Sequence, residues 1–350
     1  MPSSSTVLQN KVLAPKMKVL AVSQPGPDSQ LQLEEAPLPS LLDGQLLIEV
    51  QAAGVNRADL MQRRGLYPPQ PGESPILGLE VSGVVVAVQN SELEHWLGKS
   101  VMALVPGGGY AQYVKVLASH CMLVPDGWSW QQAAAMPEVF LTAYQLLFSL
   151  GHLQAGQRVL LHAGASGVGT AAIQLALARG AEVAVTVGSD EKAEFCRSLG
   201  VSCAISYRSE DFVLRIQQHW PDGAQLILDP VAGDYIAKNA RILAMDAKVV
   251  VYALMAGRHA ELDLAPWFRK RAQLICTTLR NRSDHYKSKL VASLWQDFSA
   301  DFSQGRIQPV LHQVVPWTDA EQAHRWLTEN KTMGKVVLQI KDSASTPPLV

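Results

Sequence analysis

The sequence lacks the features that mark a membrane protein, a disulfide-rich scaffold or a nucleic-acid-binding protein. Its apolar runs stop short of the roughly 18 residues that a membrane-spanning helix needs, and residues 1–16 lack the apolar core of a secretory signal. The four cysteines have no CxxC spacing, which argues against disulfide pairing and against a thiolate metal site. A net charge of −1 provides no overall positive field for a nucleic acid. We therefore expect a soluble cytoplasmic protein with reduced thiols, no membrane contact and no nucleic-acid partner.

Residues 1–16 are expected to form an extension before the first domain. The segment is rich in serine and contains Lys11 and Lys16, and the first acidic residue of the chain is Asp28. These features resemble an organelle transit peptide, although the segment has no arginine. A disordered tail is the simpler interpretation, and the transit peptide stays open as the alternative.

The length of 350 residues predicts two domains, since a domain commonly holds about 100 to 200 residues. Residues 17–139 contain short strands interrupted by proline and glycine, whereas residues 140–279 alternate apolar strands with helical stretches. That alternation predicts a parallel, doubly wound sheet, which is an α/β fold of the Rossmann type. Residues 280–350 contain helices near 285–302 and 319–329 and a final strand, and we expect them to rejoin the β-rich domain.

A turn of small residues connects the first strand of the second domain to an Ala-rich helix predicted over Val168–Arg179. Small residues let the backbone approach a pyrophosphate, and the helix offers unpaired N–H groups with a positive dipole end. A strand before such a turn and a helix after it are the context that a dinucleotide-binding fingerprint requires. A tight turn without a ligand is the alternative. The residues predicted to bind the cofactor here are Ala163, Gly164, Ser166, Gly167, Val168 and Gly169.

The end of the second strand of this domain bears on the choice between NADPH and NADH. NAD-preferring sites usually carry an acid there, which bonds the ribose hydroxyls. This chain has Gly188, Ser189 and Lys192 instead, so a 2′-phosphate would meet a hydroxyl and an ammonium. The pattern favours NADPH. Asp190 would still accept the ribose if the strand ran two residues longer, and an ordinary solvated lysine is the alternative role of Lys192.

The segment ILGLEVSG over residues 76–83, followed by a β-branched strand, is similar to the medium-chain dehydrogenase/reductase family. Zinc-dependent members have a ligand cysteine in the segment corresponding to GVNRADL and a ligand histidine in a Gly-His-Glu triplet. This chain has Asn56 and Leu79 at those two positions. A catalytic zinc needs about three protein ligands, and only Glu80 remains. Residues 91–106 contain no cysteine for a structural zinc lobe, so we expect an enzyme without zinc.

Further motifs narrow the resemblance to the zinc-free quinone oxidoreductases of this family. They are NRADLMQRRGLYPPQPGESPILGLEVSG, PGGGYAQYV, HAGASGVGTAAIQLALARGAE and the terminal GKVVL. The resemblance implies a GroES-like catalytic domain in addition to the Rossmann domain, a homodimer, NADPH as cofactor and a small-molecule quinone as substrate. A quinone needs little beyond a flat cavity next to the nicotinamide, so we expect catalysis by positioning.

Three residues are predicted by this resemblance to act in catalysis. Tyr67 would stack on the quinone or donate a hydrogen bond to its oxygen, with an interface tyrosine as the alternative role. Asn56 takes the place of the zinc cysteine near the nicotinamide, and its amide suits orientation because it does not titrate. Ser166 would lie near the cofactor phosphates, where it adds a donor and restricts the groove. Arg57 and Asp59 are expected to form a local ion pair rather than to act as catalysts.

The resemblance assigns further residues to the cofactor. Thr142, on the helix that links the domains, would contact the nicotinamide ribose or phosphate, and capping or lining that helix is its alternative role. Tyr207 resembles the tyrosine that packs near the adenosine end. Leu279, Arg280 and Asn330 match positions that line the cofactor cleft.

Two other functions stay open. An enzyme of the same family would reduce an activated carbon–carbon double bond in an alkenal or enoyl thioester, which requires a proton donor such as Tyr67. A protein that holds NADPH without turnover, or that binds RNA through a local patch at Arg269, Lys270 and Arg271, belongs to another class. The near-neutral charge argues against RNA.

Overall fold

The computed structural model describes residues 13–341 and the backbone of Val7–Leu8. The chain divides into two compact units, one formed by Met1–Glu138 with Ser283–Val350 and the other by Val139–Arg282. Most of the predicted extension over residues 1–16 lies outside the described residues, and a regular strand already begins at Lys16.

Strands and α-helices are numbered in chain order. The strands are β1 Val7–Leu8, β2 Lys16–Val22, β3 Leu31–Pro37, β4 Gln45–Val55, β5 Glu80–Val88, β6 Ser100–Leu104, β7 Tyr113–Leu117, β8 Cys121–Leu123, β9 Arg158–His162, β10 Glu182–Val187, β11 Cys203–Ser206, β12 Ala224–Asp229, β13 Leu243–Val251, β14 Gln273–Cys276, β15 Leu311–Pro316 and β16 Lys335–Gln339. The helices are α1 Arg57–Arg63, α2 Trp130–Ala134, α3 Pro137–Tyr144, α4 Gly167–Ala178, α5 Asp190–Ser198, α6 Phe212–His219, α7 Tyr235–Asn239, α8 Leu264–Lys270, α9 Asp284–Ser303 and α10 Ala320–Thr328.

The first unit is built on an eight-stranded sheet of mostly antiparallel neighbours. Its strand order is β15-β16-β4-β5-β6-β8, with β7 paired to β4 and β1 paired to β5, while β2 and β3 form a separate pair. β16 joins β4 with Val336 opposite Val55, so the C-terminal strand lies beside the strand that leads into α1. Buried side chains such as Ile48, Val85 and Val101 fill the core.

The second unit is a parallel six-stranded sheet with the order β11-β10-β9-β12-β13-β14. Counted from its own first strand, this order is 3-2-1-4-5-6, that of a dinucleotide-binding sheet. Its inner strands bury side chains such as Leu160, Ala184 and Ile227 completely, which requires cover on both faces. The predicted α/β class with a doubly wound parallel sheet is confirmed. The strand order reverses between β9 and β12, and ligands of such sheets bind at the carboxyl ends of the strands at this point.

Local sequence determines where the main helices begin. Ser166, Ser189 and Ser283 precede α4, α5 and α9, and each hydroxyl accepts a hydrogen bond from the backbone N–H three residues later. The helix predicted over Val168–Arg179 is found one residue earlier at each end, which is within the usual uncertainty of helix ends.

Within residues 13–341, no helix combines the length and the apolar composition that crossing a bilayer demands. All four cysteines are free thiols; Cys276 is exposed and the other three are buried.

Candidate functional site

The turn between β9 and α4 has the close backbone packing that a phosphate-binding loop needs. A Cβ on Gly164 would lie 2.6 Å from the Cβ of Val185, and one on Gly169 would lie 2.4 Å from the carbonyl oxygen of Gly164. Glycine is therefore required at both positions. Ala163 has a left-handed backbone with φ 57°, a conformation that costs a residue with a Cβ about 1–2 kcal/mol. Such strain is common where a backbone is shaped for a ligand.

Ser166 caps α4 at this turn. Its Oγ accepts a hydrogen bond from the Gly169 N–H at 3.0 Å, and its carbonyl accepts one from the Thr170 N–H at 2.8 Å. The N–H groups of Gly167 and Val168 belong to the first turn of the helix, where no carbonyl four residues earlier is available inside the helix. These two N–H groups, together with the hydroxyl proton of Ser166, are donors suited to an anion.

The end of β10 brings together the residues predicted for the adenosine side. The strand ends at Val187 and α5 begins at Asp190, so Asp190 lies in a helix and not at the end of a longer strand. The Oγ of Ser189 accepts a hydrogen bond from the backbone N–H of Lys192 at 3.3 Å. A Cβ on Gly188 would lie 2.8 Å from the Tyr207 hydroxyl, so this tyrosine lies directly against the glycine.

A buried polar network next to the phosphate turn was missed by sequence reasoning. His162 Nδ1 lies 2.9 Å from Thr186 Oγ1, and His162 Nε2 lies 2.8 Å from Asn239 Oδ1. The Asn239 amide donates to Asp229 Oδ2 at 2.9 Å. Because Asn239 Oδ1 only accepts, His162 carries its proton on Nε2 and accepts from Thr186 on Nδ1. Burial lowers the pKa of His162, so the ring is neutral. Its two hydrogen bonds fix the end of β9, directly before Ala163.

The other predicted cofactor residues of this unit are Thr142, Leu279 and Arg280. Thr142 is half-buried on α3. Leu279 and Arg280 follow β14 and are 7% and 6% exposed, which is unusual for an arginine and indicates a fixed position.

The first unit holds a compact buried cluster around Asn56, at the start of α1. The Asn56 amide donates to Glu80 Oε1 at 2.9 Å, and Asn56 Oδ1 accepts from Lys335 Nζ at 2.6 Å. Lys335 Nζ also lies 2.6 Å from Glu80 Oε1 and donates to the Val55 carbonyl at 2.7 Å. The structure thus places one predicted residue, Asn56, between two buried charges. Tyr67 is half-buried in the loop between α1 and β5.

A second carboxyl group, Glu138, adjoins this cluster. Its backbone N–H donates to Glu80 Oε2 at 2.9 Å. Burial, followed by the nearby Glu80 carboxylate, raises the pKa of Glu138 to about 8. A carboxyl group with such a pKa holds its proton at neutral pH and is able to donate it.

Asp59 fixes the backbone of Asn56 from the other side. Its Oδ2 accepts from the Asn56 N–H at 2.8 Å and from the Tyr110 hydroxyl at 3.2 Å, while Oδ1 accepts from the Gly78 N–H at 3.0 Å. Burial raises the pKa of Asp59 to about 6 against the opposing effect of these bonds. Asp59 is therefore a structural anchor of the loop that carries Asn56.

The predicted ion pair between Arg57 and Asp59 was wrong. Arg57 Nη2 donates to the Leu327 carbonyl at 3.0 Å and to Asn330 Oδ1 at 2.8 Å. Residues two apart on a helix point to different faces, and this rule separates Arg57 from Asp59 on α1. Asn330, predicted to line the cofactor cleft, has a left-handed backbone with φ 54° and lies in the first unit with Arg57.

A histidine continues the network behind Asp59. The Tyr110 hydroxyl lies 3.2 Å from His324 Nε2, and His324 Nδ1 lies 3.2 Å from Arg63 Nη1. Since a guanidinium only donates, Nδ1 accepts and the ring proton sits on Nε2, directed at Tyr110. Burial and the Arg63 charge lower the pKa of His324 to about 3, so the ring stays neutral. None of these contacts was visible from local spacing.

Family models match two stretches of the chain. Residues 42–126 match the alcohol dehydrogenase GroES-like domain, and residues 167–295 match the zinc-binding dehydrogenase model. The synaptic vesicle membrane protein VAT-1 homolog of Rattus norvegicus is 32% identical over 341 residues, which cover 93% of this chain and 84% of the relative. The homolog of Danio rerio is 30% identical over 314 residues, which cover 86% of this chain and 65% of that relative. The GroES-like part of the predicted fold class is confirmed.

Solved structures similar to this chain include both quinone and enoyl reductases. CurK enoyl reductase has a TM-score of 0.82 at 27% identity and covers 94% of this chain and 100% of its own. A mycobacterial quinone oxidoreductase has a TM-score of 0.78 at 27% identity, with 93% and 100% covered. A mycobacterial protein complexed with NADPH has a TM-score of 0.80 at 27% identity, again with 93% and 100% covered.

Proposed function

The chain belongs to the medium-chain dehydrogenase/reductase family, and from this premise we propose that it is a zinc-free NADPH:quinone oxidoreductase. Members of the family are NAD(P)-dependent oxidoreductases. The preference for NADPH over NADH and the quinone substrate are our proposals. Support comes from the resemblance to the tumour-suppressor-inducible quinone oxidoreductase, which runs from Met17 to Ile340 and includes Ser166. The observation that carries the proposal is the end of β10, where the Tyr207 hydroxyl lies against Gly188, Ser189 caps α5, Lys192 lies in the first turn of that helix, and Asp190 begins the helix instead of ending the strand.

The second unit supplies the proposed cofactor site. The turn with Gly164 and Gly169 and the first N–H groups of α4 would receive the pyrophosphate. Ser189, Lys192 and Tyr207 would receive the 2′-phosphate. We assign Thr142, Leu279 and Arg280 to the remainder of the cofactor. When bound, NADPH supplies a hydride, and the residues of this chain bind and orient the reactants.

The first unit supplies the groups proposed to orient the quinone. Asn56 would donate a hydrogen bond to a quinone oxygen, and Tyr67 would stack on the ring or donate to the other oxygen. Hydride transfer to one quinone, followed by a proton from water, would give a hydroquinone, whereas transfer of the two electrons singly to two quinones would give semiquinones. Neither group needs to titrate for this role, because the quinone is already a good electron acceptor.

Reduction of an activated carbon–carbon double bond is the second candidate. CurK enoyl reductase is among the similar structures, and double-bond reduction requires a proton after the hydride. Glu138 is favoured as the source of that proton over the Tyr67 hydroxyl, because its pKa is raised to about 8. RNA binding has less support, since Arg271, in the predicted basic patch, pairs with Asp246 at 2.6 Å.

We also propose a homodimer that forms along β14. This strand is the last in the order of the described sheet, so one of its edges has unpaired backbone groups. Nearby apolar side chains are exposed, with Leu264 at 66% and Phe268 at 85%. A second copy pairing with this edge would cover both features.

The test is a panel of electron acceptors offered to the purified protein with NADPH or NADH. We expect oxidation of NADPH by ortho- and para-quinones, faster than oxidation of NADH, with semiquinone detected as a radical signal if electrons pass singly. A faster reaction with a 2-alkenal or an enoyl thioester would favour the double-bond reductase. Folded protein that binds RNA in a salt-dependent way and oxidises no NADPH would refute both enzymes.

A further inference from the structure

Lys335 is a buried lysine whose ammonium group is fully bonded. The side chain is 4% exposed, at the start of β16. Its three N–H groups have three acceptors within 2.7 Å, namely the Val55 carbonyl, Asn56 Oδ1 and Glu80 Oε1. A lysine ammonium has three donors and no acceptor, so this set saturates it.

The charge of Lys335 is balanced by a carboxylate that is equally buried. Glu80 is 0% exposed; besides Lys335, it accepts hydrogen bonds from the Asn56 amide and from the Glu138 backbone N–H. Separating a buried ion pair of this kind is costly, because removing one partner leaves the other charge buried and uncompensated. The pair is therefore expected to stay assembled whatever binds next to it.

These residues do not fit the zinc ion that the name of the matching zinc-binding dehydrogenase model implies. Zinc takes thiolate, imidazole or carboxylate ligands at about 2.0–2.3 Å, and here Asn56 and Leu79 stand where zinc-dependent members of the family have cysteine and histidine. The remaining carboxylate, Glu80, is already bonded to an ammonium that would repel a divalent ion. Over residues 13–341, no group of three or more His, Cys, Asp or Glu side chains is arranged to hold a metal.

We infer that the Lys335 ammonium is the resident cation of this site in place of a metal ion, and that it positions the Asn56 amide. Asn56 Oδ1 is held by Lys335, and one N–H of the amide is held by Glu80. The second N–H is then the group that Asn56 presents to a ligand, so the amide acts as a donor and selects for an acceptor oxygen. A carbonyl oxygen of a quinone or an enone meets this requirement; this last step rests on the proposed function.

The first experiment separates positioning from simple stabilisation. Lys335→Met alone leaves Glu80 uncompensated, so we expect a large loss of thermal stability. The double variant Lys335→Met with Glu80→Gln removes both charges and should recover most of the melting temperature. Its kcat/KM for the quinone should nevertheless stay about tenfold or more below wild type, because Asn56 is no longer held. Lys16→Met, in the exposed pair with Glu35, is the matched control and should change neither quantity.

A double-mutant cycle tests whether Lys335 acts through Asn56. Asn56→Ala is made in the wild type and in the neutral double variant. If the ammonium acts through the amide, the two losses in kcat/KM overlap. The fold-loss of the combined variant is then much smaller than the product of the two separate fold-losses. Two results would show that Lys335 has only a structural role in the ion pair. One is losses in kcat/KM that multiply independently; the other is a double variant that regains both wild-type kcat/KM and wild-type stability.

A third measurement does not depend on turnover and judges the cation site even if no acceptor is reduced. Lys335→Ala deletes the equivalent of a propylammonium ion. We expect n-propylammonium to raise the melting temperature of this variant, whereas equal tetramethylammonium, which is too large and has no N–H donor, should not. The wild type should respond to neither and should carry no zinc by elemental analysis after purification with zinc in the medium. Absence of amine rescue in the folded variant, or one zinc per wild-type chain, would overturn the inference.

Discussion

Gly169→Ala is the sharpest perturbation of the phosphate turn. The added Cβ would lie 2.4 Å from the carbonyl oxygen of Gly164 and 2.5 Å from that of Ala163. Both are backbone atoms, so the turn or the start of α4 must shift by at least 0.6 Å to bring the closer contact to 3.0 Å. Overpacking typically costs about 1–3 kcal/mol, and the better helix propensity of alanine offsets about 1 kcal/mol of this. We expect a net loss of about 0–2 kcal/mol in the free energy of unfolding.

The larger effect should fall on cofactor binding. A shifted turn misplaces the N–H groups of Gly167 and Val168, and losing one charge-assisted hydrogen bond costs about 1.5–3 kcal/mol, which weakens NADPH affinity by about 10-fold to 150-fold. Fluorescence titration with NADPH and chemical denaturation measure the two effects. Gln174→Ala, further along α4, is the control and should keep wild-type affinity. A folded Gly169→Ala variant that binds NADPH as tightly as wild type would show that the pyrophosphate does not bind at this turn.

Four further outcomes are expected. Lys192→Met should weaken NADPH binding by about tenfold or more and leave NADH binding unchanged, and equal losses for both would contradict the assigned 2′-phosphate contact. Because burial raises the pKa of Glu138 from 4.5 to about 8, its contribution to stability is full below the lower value and is lost as pH rises to the upper one. Denaturation at several pH values should show this slope, at most about 1.4 kcal/mol per pH unit, and Glu138→Gln should abolish it. His162→Phe leaves buried Asn239 and Thr186 groups unsatisfied, so it should cost about 2–4 kcal/mol in unfolding free energy, whereas the exposed His95→Phe should be neutral. Phe268→Glu should convert the proposed dimer to a monomer in light scattering, and an unchanged mass would exclude this face.

Local and periodic features of the sequence were sufficient to predict the architecture. The helix α4 was predicted within one residue at each end because an apolar strand, a turn of small residues and an Ala-rich stretch follow one another there. The absence of an acid directly after β10 could also be recognised from the sequence, since Gly188 and Ser189 follow the strand consecutively. Whether Asp190 lies at the end of β10 or in α5 depends on the length of the strand, and the structure shows that β10 ends at Val187.

The buried cluster of the first unit could not be predicted in this way. Lys335 and Asn56 are 279 residues apart, and the segment containing Lys335 is recognisable from the sequence only as a final strand and as part of the family resemblance. Its side chain reaches Asn56 because β16 pairs with β4, a long-range contact that spacing does not encode. The polar residues at the carboxyl ends of β9, β10 and β12 offered a usable indication of the His162 network, because such ends meet at one edge of a parallel sheet.

Zinc-independent binding of NADPH is tested by a calorimetric titration of the intact protein with NADPH and, separately, with NADH. We expect one NADPH bound per chain, with an affinity clearly above that for NADH and unaffected by a metal chelator. No heat of binding for either nucleotide, or binding that disappears once zinc is removed, would contradict it.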